Sequence, residues 1–246
     1  MEKNILVTGG AQGIGRSIVE VLLQDDTCHV IVIDKQQTHF IEECTQKYNQ
    51  RFNFFLQDIA ESPNLLKVLE SLKDLKIHGI VNNAGEVYFE DWEKLTMDTW
   101  DRTLSVNVRA PLQIVHTLRN SLTTGASIVN ISSIDGVRAA YTTIPYAVSK
   151  AALSNLTMSL AALLGKKGVR VNAIAPGWVE TEMTENTLPE EATSMTPLGR
   201  NAQSQEIAHV VEFLLSPRSA FISGQTITVD GGLTVVDYTL KVESER

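Results

Sequence analysis

Short runs of aliphatic and β-branched residues recur along the chain, with longer helical stretches between them. The runs Ile5–Thr8, His29–Ile33, Phe52–Leu56, Gly79–Val81, Ser127–Ile131, Val169–Ala175 and Thr226–Val229 read as strands. Most are apolar without a period-two alternation, the pattern of parallel strands covered on both faces. Helical candidates lie near 14–24, 39–50, 63–74, 99–122, 146–166 and 204–215, with Pro63 opening one and Pro217 ending another. No internal repeat, low-complexity tract or linker breaks this order. The alternation predicts one α/β domain over residues 1–246, a doubly wound parallel sheet of seven strands with helices on both faces. Ligands of such sheets bind at the carboxyl ends of the strands.

The first strand runs into Thr8-Gly9-Gly10-Ala11-Gln12-Gly13-Ile14-Gly15 and then a helix. Glycine suits a tight turn whose backbone must approach a pyrophosphate at a helix N-terminus, where unpaired N–H groups attract anions. The spacing is G-x-x-x-G-x-G and departs from the dinucleotide fingerprint G-x-G-x-x-G, and glycine-rich turns also serve as plain connectors. Context favours the nucleotide. A strand precedes the loop, a helix follows, and Asp34 closes the second strand nineteen residues past Gly15. An acid at that distance accepts the hydroxyls of an adenosine ribose, as in a Rossmann-type sheet. Its charge also repels a 2′-phosphate, so the reading is NAD, with NADP less favoured. Lys35 and Arg16 are cations close enough in sequence to offset part of that repulsion, and the plainer alternative is that Asp34 only caps a loop.

Composition narrows the function classes. A net charge of −8 argues against a nucleic-acid footprint, and 43% hydrophobic residues with a mean hydropathy of −0.02 is ordinary for a globular chain. Cys28 and Cys44 have no CxxC spacing, and two such thiols suit a reducing, cytoplasmic setting. Glu2 followed by the apolar Ile5-Leu6-Val7 does not read as a signal peptide, and no uninterrupted apolar run approaches membrane-spanning length. The expectation is no membrane and no nucleic-acid partner. The five histidines show no ligand spacing, so no metal site is expected.

In "YAVSK", Tyr146 and Lys150 stand four residues apart at the head of an alanine- and leucine-rich helix, about one turn, so both side chains share a face. Without context such a pair is helix surface. Placed beside a dinucleotide it has a chemical use. A tyrosine with a pKa near 10 needs roughly 4 kcal/mol of preference for its phenolate to act near neutral pH, and burial moves it the wrong way. A neighbouring ammonium moves it the right way.

Together with the glycine loop, "NNAG" (Asn82 to Gly85), "NISS" (Asn130 to Ser133), "YAVSK", "PGWVETEM" from Pro176, "PLGR" from Pro197 and "SGQTITVDGG" from Ser223 appear in order, and the chain resembles the short-chain dehydrogenase/reductase family, in its single-domain NAD(P)-dependent branch. The resemblance covers essentially the whole chain. It implies a catalytic set of Asn107, Ser133 (thirteen residues before the tyrosine, not Ser132), Tyr146 and Lys150. Tyr146 would be the acid/base, Lys150 would also hold the nicotinamide ribose, Ser133 the substrate oxygen, and Asn107 a water leading to Lys150. For the cofactor it implies Gly9, Gln12, Gly13, Ile14, Gly15 and Asp34 at the first loop, and Asp58 and Ile59 near the adenine. Asn83, Ala84 and Gly85 support the cofactor beside a mainly structural Asn82, and Pro176, Gly177, Val179 and Thr181 meet the nicotinamide. Gln12 stands where many NADP users carry a basic residue, and Asp58 alone would read as a strand-end cap.

The substrate pocket is expected from Ser133, Tyr141, Tyr146 and Trp178, with Val87, Tyr88, Asp135, Ile144, Met183 and Leu188 as further lining. Residues 180–197 carry Glu180, Glu182, Glu185, Glu190 and Glu191 and read as a substrate lid. The reaction implied is hydride transfer between NAD(H) and a small-molecule secondary alcohol or ketone. Alternatives are an NADPH-using enzyme like the 3-oxoacyl-acyl-carrier-protein reductases and a non-catalytic nucleotide-sensing protein of the same fold. A sugar-nucleotide epimerase is disfavoured because only a short tail follows Gly232. The family relation further implies a homotetramer.

Overall fold

The fold is described from a computed structural model, which covers residues 2–181, 184 and 192–238. Seven parallel strands form the main sheet: β1 Lys3–Thr8, β2 Cys28–Asp34, β3 Phe52–Leu56, β4 Ile77–Asn82, β5 Leu122–Ile131, β6 Arg170–Pro176 and β9 Thr226–Val229. Their order is β3-β2-β1-β4-β5-β6-β9. Chain order reverses between β1 and β4, the switch point at which a doubly wound sheet opens a crevice at its carboxyl edge. Two short strands, β7 Val179–Glu180 and β8 Ala202–Gln203, form a separate parallel pair.

The central strands are apolar on both faces because each face meets a different core. Val30 and Val32 of β2 pack with α1 (Gly13–Leu22), α2 (His39–Tyr48) and α8 (Ser204–Leu215). Ile31 and Ile33, the residues between, pack on the other face with α3 (Ser62–Ser71), α5 (Ala110–Leu118) and α6 (Ile144–Leu164). Successive side chains point to opposite faces, so a sheet covered twice erases the alternation that a half-exposed sheet would show.

The helix expected over 99–122 is three pieces. α4 spans Met97–Leu104, a π turn spans Ser105–Arg109, and α5 ends at Leu118. Pro111 has no N–H to give the carbonyl of Asn107 four residues back, and Ala110 donates to Ser105 five residues back, so the ladder is wound wider through Asn107. The tail of the expected helix belongs to β5, whose Leu122 pairs with Ile77. A four-residue helix, α7 Ala192–Met195, and the β7–β8 pair were not legible in the sequence pattern.

The expectation that nothing approaches membrane-spanning length is corrected at α6. Residues Ile144–Lys167 are long and apolar enough by composition, with a mean hydropathy of 1.3. Counting uninterrupted apolar runs missed them because alanine, serine and threonine are interspersed. One side of this helix buries Ser149, Lys150, Leu153, Thr157 and Leu160 in the fold.

Candidate active site

A cleft of about 540 Å³ opens along the carboxyl ends of β1, β2, β4, β5 and β6. Its floor at one end is the loop after β1. Gly9 and Gly13 hold φ of +67° and +54°, which a side chain rarely tolerates, and a Cβ on Gly15 would lie 1.8 Å from the Gly9 carbonyl oxygen. The loops after β1 and β4 are stitched together. Asn83 Nδ2 donates to Thr8 O (3.1 Å) and Gly9 O (2.8 Å), and Thr8 Oγ1 accepts from the amides of Asn83 and Ala84 at 3.1 Å. Gln12, at the start of α1, places no side chain over the first-turn N–H groups. A bare helix N-terminus beside a glycine floor fits a pyrophosphate.

Asp34 is buried at the end of β2, where its carboxylate accepts from Ala11 N (2.9 Å) and Gln36 N (3.0 Å). It both anchors the glycine loop and lines the cleft. The two cations that cloud its meaning each have an acid partner. Arg16 bonds Glu20 at 2.9 Å and lies over the Phe40 ring, and Lys35 reaches Glu86 at 2.5 Å. Glu86 is gripped by Arg102, whose guanidinium also holds Asp58 at 2.8 Å. Ile59 lies beside this group on the cleft wall. Burial pushes the Glu86 carboxyl up, but Arg102 and Lys35 outweigh it and hold it at about 2.

At the other end, β5 delivers Ser132 and Ser133 to opposite tasks. Ser132 turns into α6, bonding Lys150 O at 2.9 Å and Ser154 Oγ at 3.0 Å. Ser133 faces the cleft beside Tyr146, and its Oγ accepts from Asp135 N at 3.1 Å. The turn after it packs against α6 because Gly136 has no side chain, and a Cβ there would sit 2.9 Å from the Lys150 backbone. Tyr146 is half-buried and lines the cleft, while Lys150 is 2% exposed with Nζ 5.3 Å from the tyrosine ring centre. The ammonium is fixed by a 2.7 Å bond to Ile131 O. Burial pulls it down to about 8. Burial also pushes the phenol up to about 12, with Asp135 adding to the rise and Ser133 opposing it. The expected depression of the phenol is therefore not supplied by the protein's own groups.

Asn107, alone among the four predicted catalytic residues, does not line the cleft and stands behind it. Its Oδ1 accepts from Glu86 N (2.9 Å), and its Nδ2 donates to Glu86 O (3.0 Å) and Ser149 Oγ (2.9 Å). Ser149 in turn donates to Tyr146 O at 2.6 Å, so Asn107 braces the tyrosine's turn of helix through a residue the sequence reading overlooked. A Cβ on Gly85 would come within 3.3 Å of Lys150 Nζ and 3.6 Å of Asn107 Oδ1.

Pro176, Gly177, Val179 and Thr181 line the cleft beyond β6, as do Tyr141, Trp178, Val87 and Asp135. Two expected lining residues are corrected. Tyr88 turns its hydroxyl to Glu86 Oε2 (3.0 Å), and Ile144 is the first residue of α6 and does not reach the cleft. Phe89 and Arg138 line it instead, and no spacing marked them. Met183, Leu188 and half of the expected lid at 180–197 lie outside the described residues.

Three comparisons bear on this cleft. A family model described as Enoyl-(Acyl carrier protein) reductase matches residues 9–234. The 3-oxoacyl-acyl-carrier-protein reductase of Thermotoga maritima is 31% identical over 242 residues, 95% of this chain and 98% of that protein. Among solved structures, a short chain dehydrogenase family protein from Francisella tularensis subsp. tularensis SCHU S4 superposes with a TM-score of 0.88 at 34% identity, covering 96% of this chain and all of that one. A 4-hydroxyisoleucine dehydrogenase complexed with NADH gives the same TM-score at 27% identity, covering 96% and 100%.

Proposed function

The chain belongs to the short-chain dehydrogenase/reductase family, and from that premise we propose that it transfers hydride between NAD(H) and a small-molecule secondary alcohol or ketone, with Tyr146 as the acid/base. NAD(P)-dependent oxidoreduction is the family's chemistry. The choice of NAD, the residue roles and the substrate class are our reading. One observation carries it: Tyr146 shares the far end of the cleft with Ser133, next to a buried ammonium, and the same cleft begins at a pyrophosphate cradle.

The residues divide the work. Bound NAD(H) supplies the hydride and, when oxidised, a positive charge. Ser133 donates to the substrate oxygen and stabilises charge developing there. Tyr146 holds its proton firmly and gives it to that oxygen in the reducing direction; in the oxidising direction it must first lose it. Lys150, held by Ile131 O, keeps a cation source within reach of the phenol and is placed to meet ribose hydroxyls. Burial lowers its own pKa to about 8, so its charge is more easily given up than that of an exposed lysine. Asn107 acts through Ser149 to hold the helix turn that carries both.

Asp34 supports NAD, because its carboxylate faces the adenosine end while Lys35 and Arg16 are occupied by Glu86 and Glu20. A homotetramer is part of the same reading. Val148, Met158 and Leu163 leave α6 apolar on its outer side, and Leu112 does so on α5. Two buried free thiols suit the cytoplasm. The relation to the Thermotoga reductase keeps an acyl-carrier-protein substrate as a second reading. The test is NADH consumption across alcohols, ketones, sugars and acyl thioesters, with Tyr146→Phe as control. Turnover lost in the control supports the reading; no turnover with any carbonyl, alongside nucleotide binding, replaces it with a sensing role.

A further inference from the structure

Lys35 directly follows the ribose acid and lines the cleft, so it is the cation best placed to receive a 2′-phosphate. Its side chain is half exposed, and a lysine ammonium on four rotatable carbons can swing to whichever anion is nearer. The structure gives it an anion already, since its Nζ lies 2.5 Å from Glu86 Oε1.

Glu86 is not a casual surface partner. Its side chain is 12% exposed, Arg102 contacts both carboxylate oxygens (Nη2 to Oε1 2.6 Å, Nε to Oε2 2.7 Å), and Tyr88 donates to Oε2 at 3.0 Å. Arg102 is itself tied to Asp58. The carboxylate is therefore fixed in place, and Lys35, the flexible member, comes to it. Around the adenosine end stand the three carboxylates of Asp34, Glu86 and Asp58 against the two cations Lys35 and Arg102, and both cations are taken.

We propose that Glu86 is a positioning residue for cofactor choice: it holds Lys35 away from the ribose 2′ position and so denies the chain a phosphate-binding cation. Asp34 excludes NADP(H) by repulsion; Glu86 excludes it by withholding attraction. The inference rests on the NAD reading above for its direction, but its mechanism is a coupling between two side chains that can be measured separately.

NADH and NADPH are titrated by nucleotide fluorescence against the full chain, Glu86→Gln, Lys35→Gln and the double variant. Glu86→Gln is expected to raise NADPH affinity relative to NADH about tenfold, and that gain is expected to vanish when Lys35 is also replaced. Lys35→Gln alone is expected to leave the ratio within about twofold, because the withheld ammonium was not contributing. An unchanged ratio in Glu86→Gln overturns the proposal, as does an equal gain in the double variant, which would mean that Glu86 acts by its own charge. Lys35→Gln alters a half-exposed side chain and decides the matter even if Glu86→Gln fails to fold. A tenfold loss of NADPH affinity in it would show Lys35 already on the phosphate. Tighter binding of NADPH than NADH by the unaltered chain would defeat the NAD reading, while the coupling between residues 86 and 35 would still decide this one.

Discussion

The two ends of the cleft handle charge in opposite ways. At the adenosine end every ionised group has a partner at hydrogen-bonding distance: Asp34 with two amides, Lys35 with Glu86, Arg102 with Glu86 and Asp58. Groups so paired serve as fixed geometry. At the catalytic end a half-buried phenol and a buried ammonium have no carboxylate bonded to either among the described residues. Desolvation moves both pKa values toward the neutral forms, so a modest added charge can change their state. The adenosine end is built from paired charges, and the catalytic end from groups that burial shifts toward neutrality.

Removing the titrating hydroxyl should therefore break one end and spare the other. Tyr146→Phe is expected to lower turnover by about 10²–10⁴-fold, the usual worth of a positioned general acid. NADH affinity should stay within about twofold, since no nucleotide-cradling contact depends on that hydroxyl. Steady-state rates and fluorescence titration on the same preparation check both halves. A parallel loss of binding would erase the contrast between the two ends.

Lys150→Met sharpens the comparison through stability as well as rate. Turnover should fall by about 10²-fold or more, because the variant loses the group placed beside the phenol to meet the ribose hydroxyls. The fold should gain. Holding a lysine at about 8 in place of its usual 10.5 costs the charged form about 3 kcal/mol. That cost is carried in full below pH 8 and disappears as pH climbs to 10.5, where the unfolded lysine is also neutral. The bond to Ile131 O is lost in the variant, leaving a carbonyl unpaired at about 1–3 kcal/mol. A net gain of about 1 kcal/mol at pH 7, shrinking toward pH 10, is expected from denaturant unfolding at several pH values. Equal stability at pH 7 and 10 would show that burial is not what lowers Lys150.

How much of this was legible follows the same division. The strands and the glycine loop could be read because they depend on local patterning: a doubly covered sheet needs apolar runs, and Gly15 has no room for a side chain. The positions of Ser133, Tyr146 and Lys150 followed from motif spacing, which the β5–α6 packing turns into proximity. What escaped were contacts between residues far apart in sequence. Nothing near Asn107 announces Ser149, 42 residues on, and nothing near Lys35 announces Glu86, 51 residues on. The π turn was readable in principle from Pro111, which removes one donor from an otherwise unbroken helical pattern. The upward push of burial on the phenol was expected; what spacing could not show is how little the Lys150 ammonium, held on Ile131 O, offsets it.

The smallest effect expected is at Asp34, where one carboxylate does two things that two substitutions can separate. As loop anchor it accepts from Ala11 N and Gln36 N; as a charge it faces the adenosine end. Asp34→Asn keeps an oxygen acceptor for one of those amides and removes the charge, whereas Asp34→Ala removes both. Each should raise NADPH affinity relative to NADH by up to about tenfold, because both abolish the repulsion. Only the alanine should also leave a buried amide unpaired, at about 1–3 kcal/mol of stability, and loosen the glycine floor so that both nucleotides bind less tightly. Thermal unfolding beside nucleotide titration reads the two effects apart. If the asparagine variant loses as much stability as the alanine, the acid is needed for its charge in the fold itself, and the adenosine end would resemble the catalytic end more closely than its hydrogen bonds suggest.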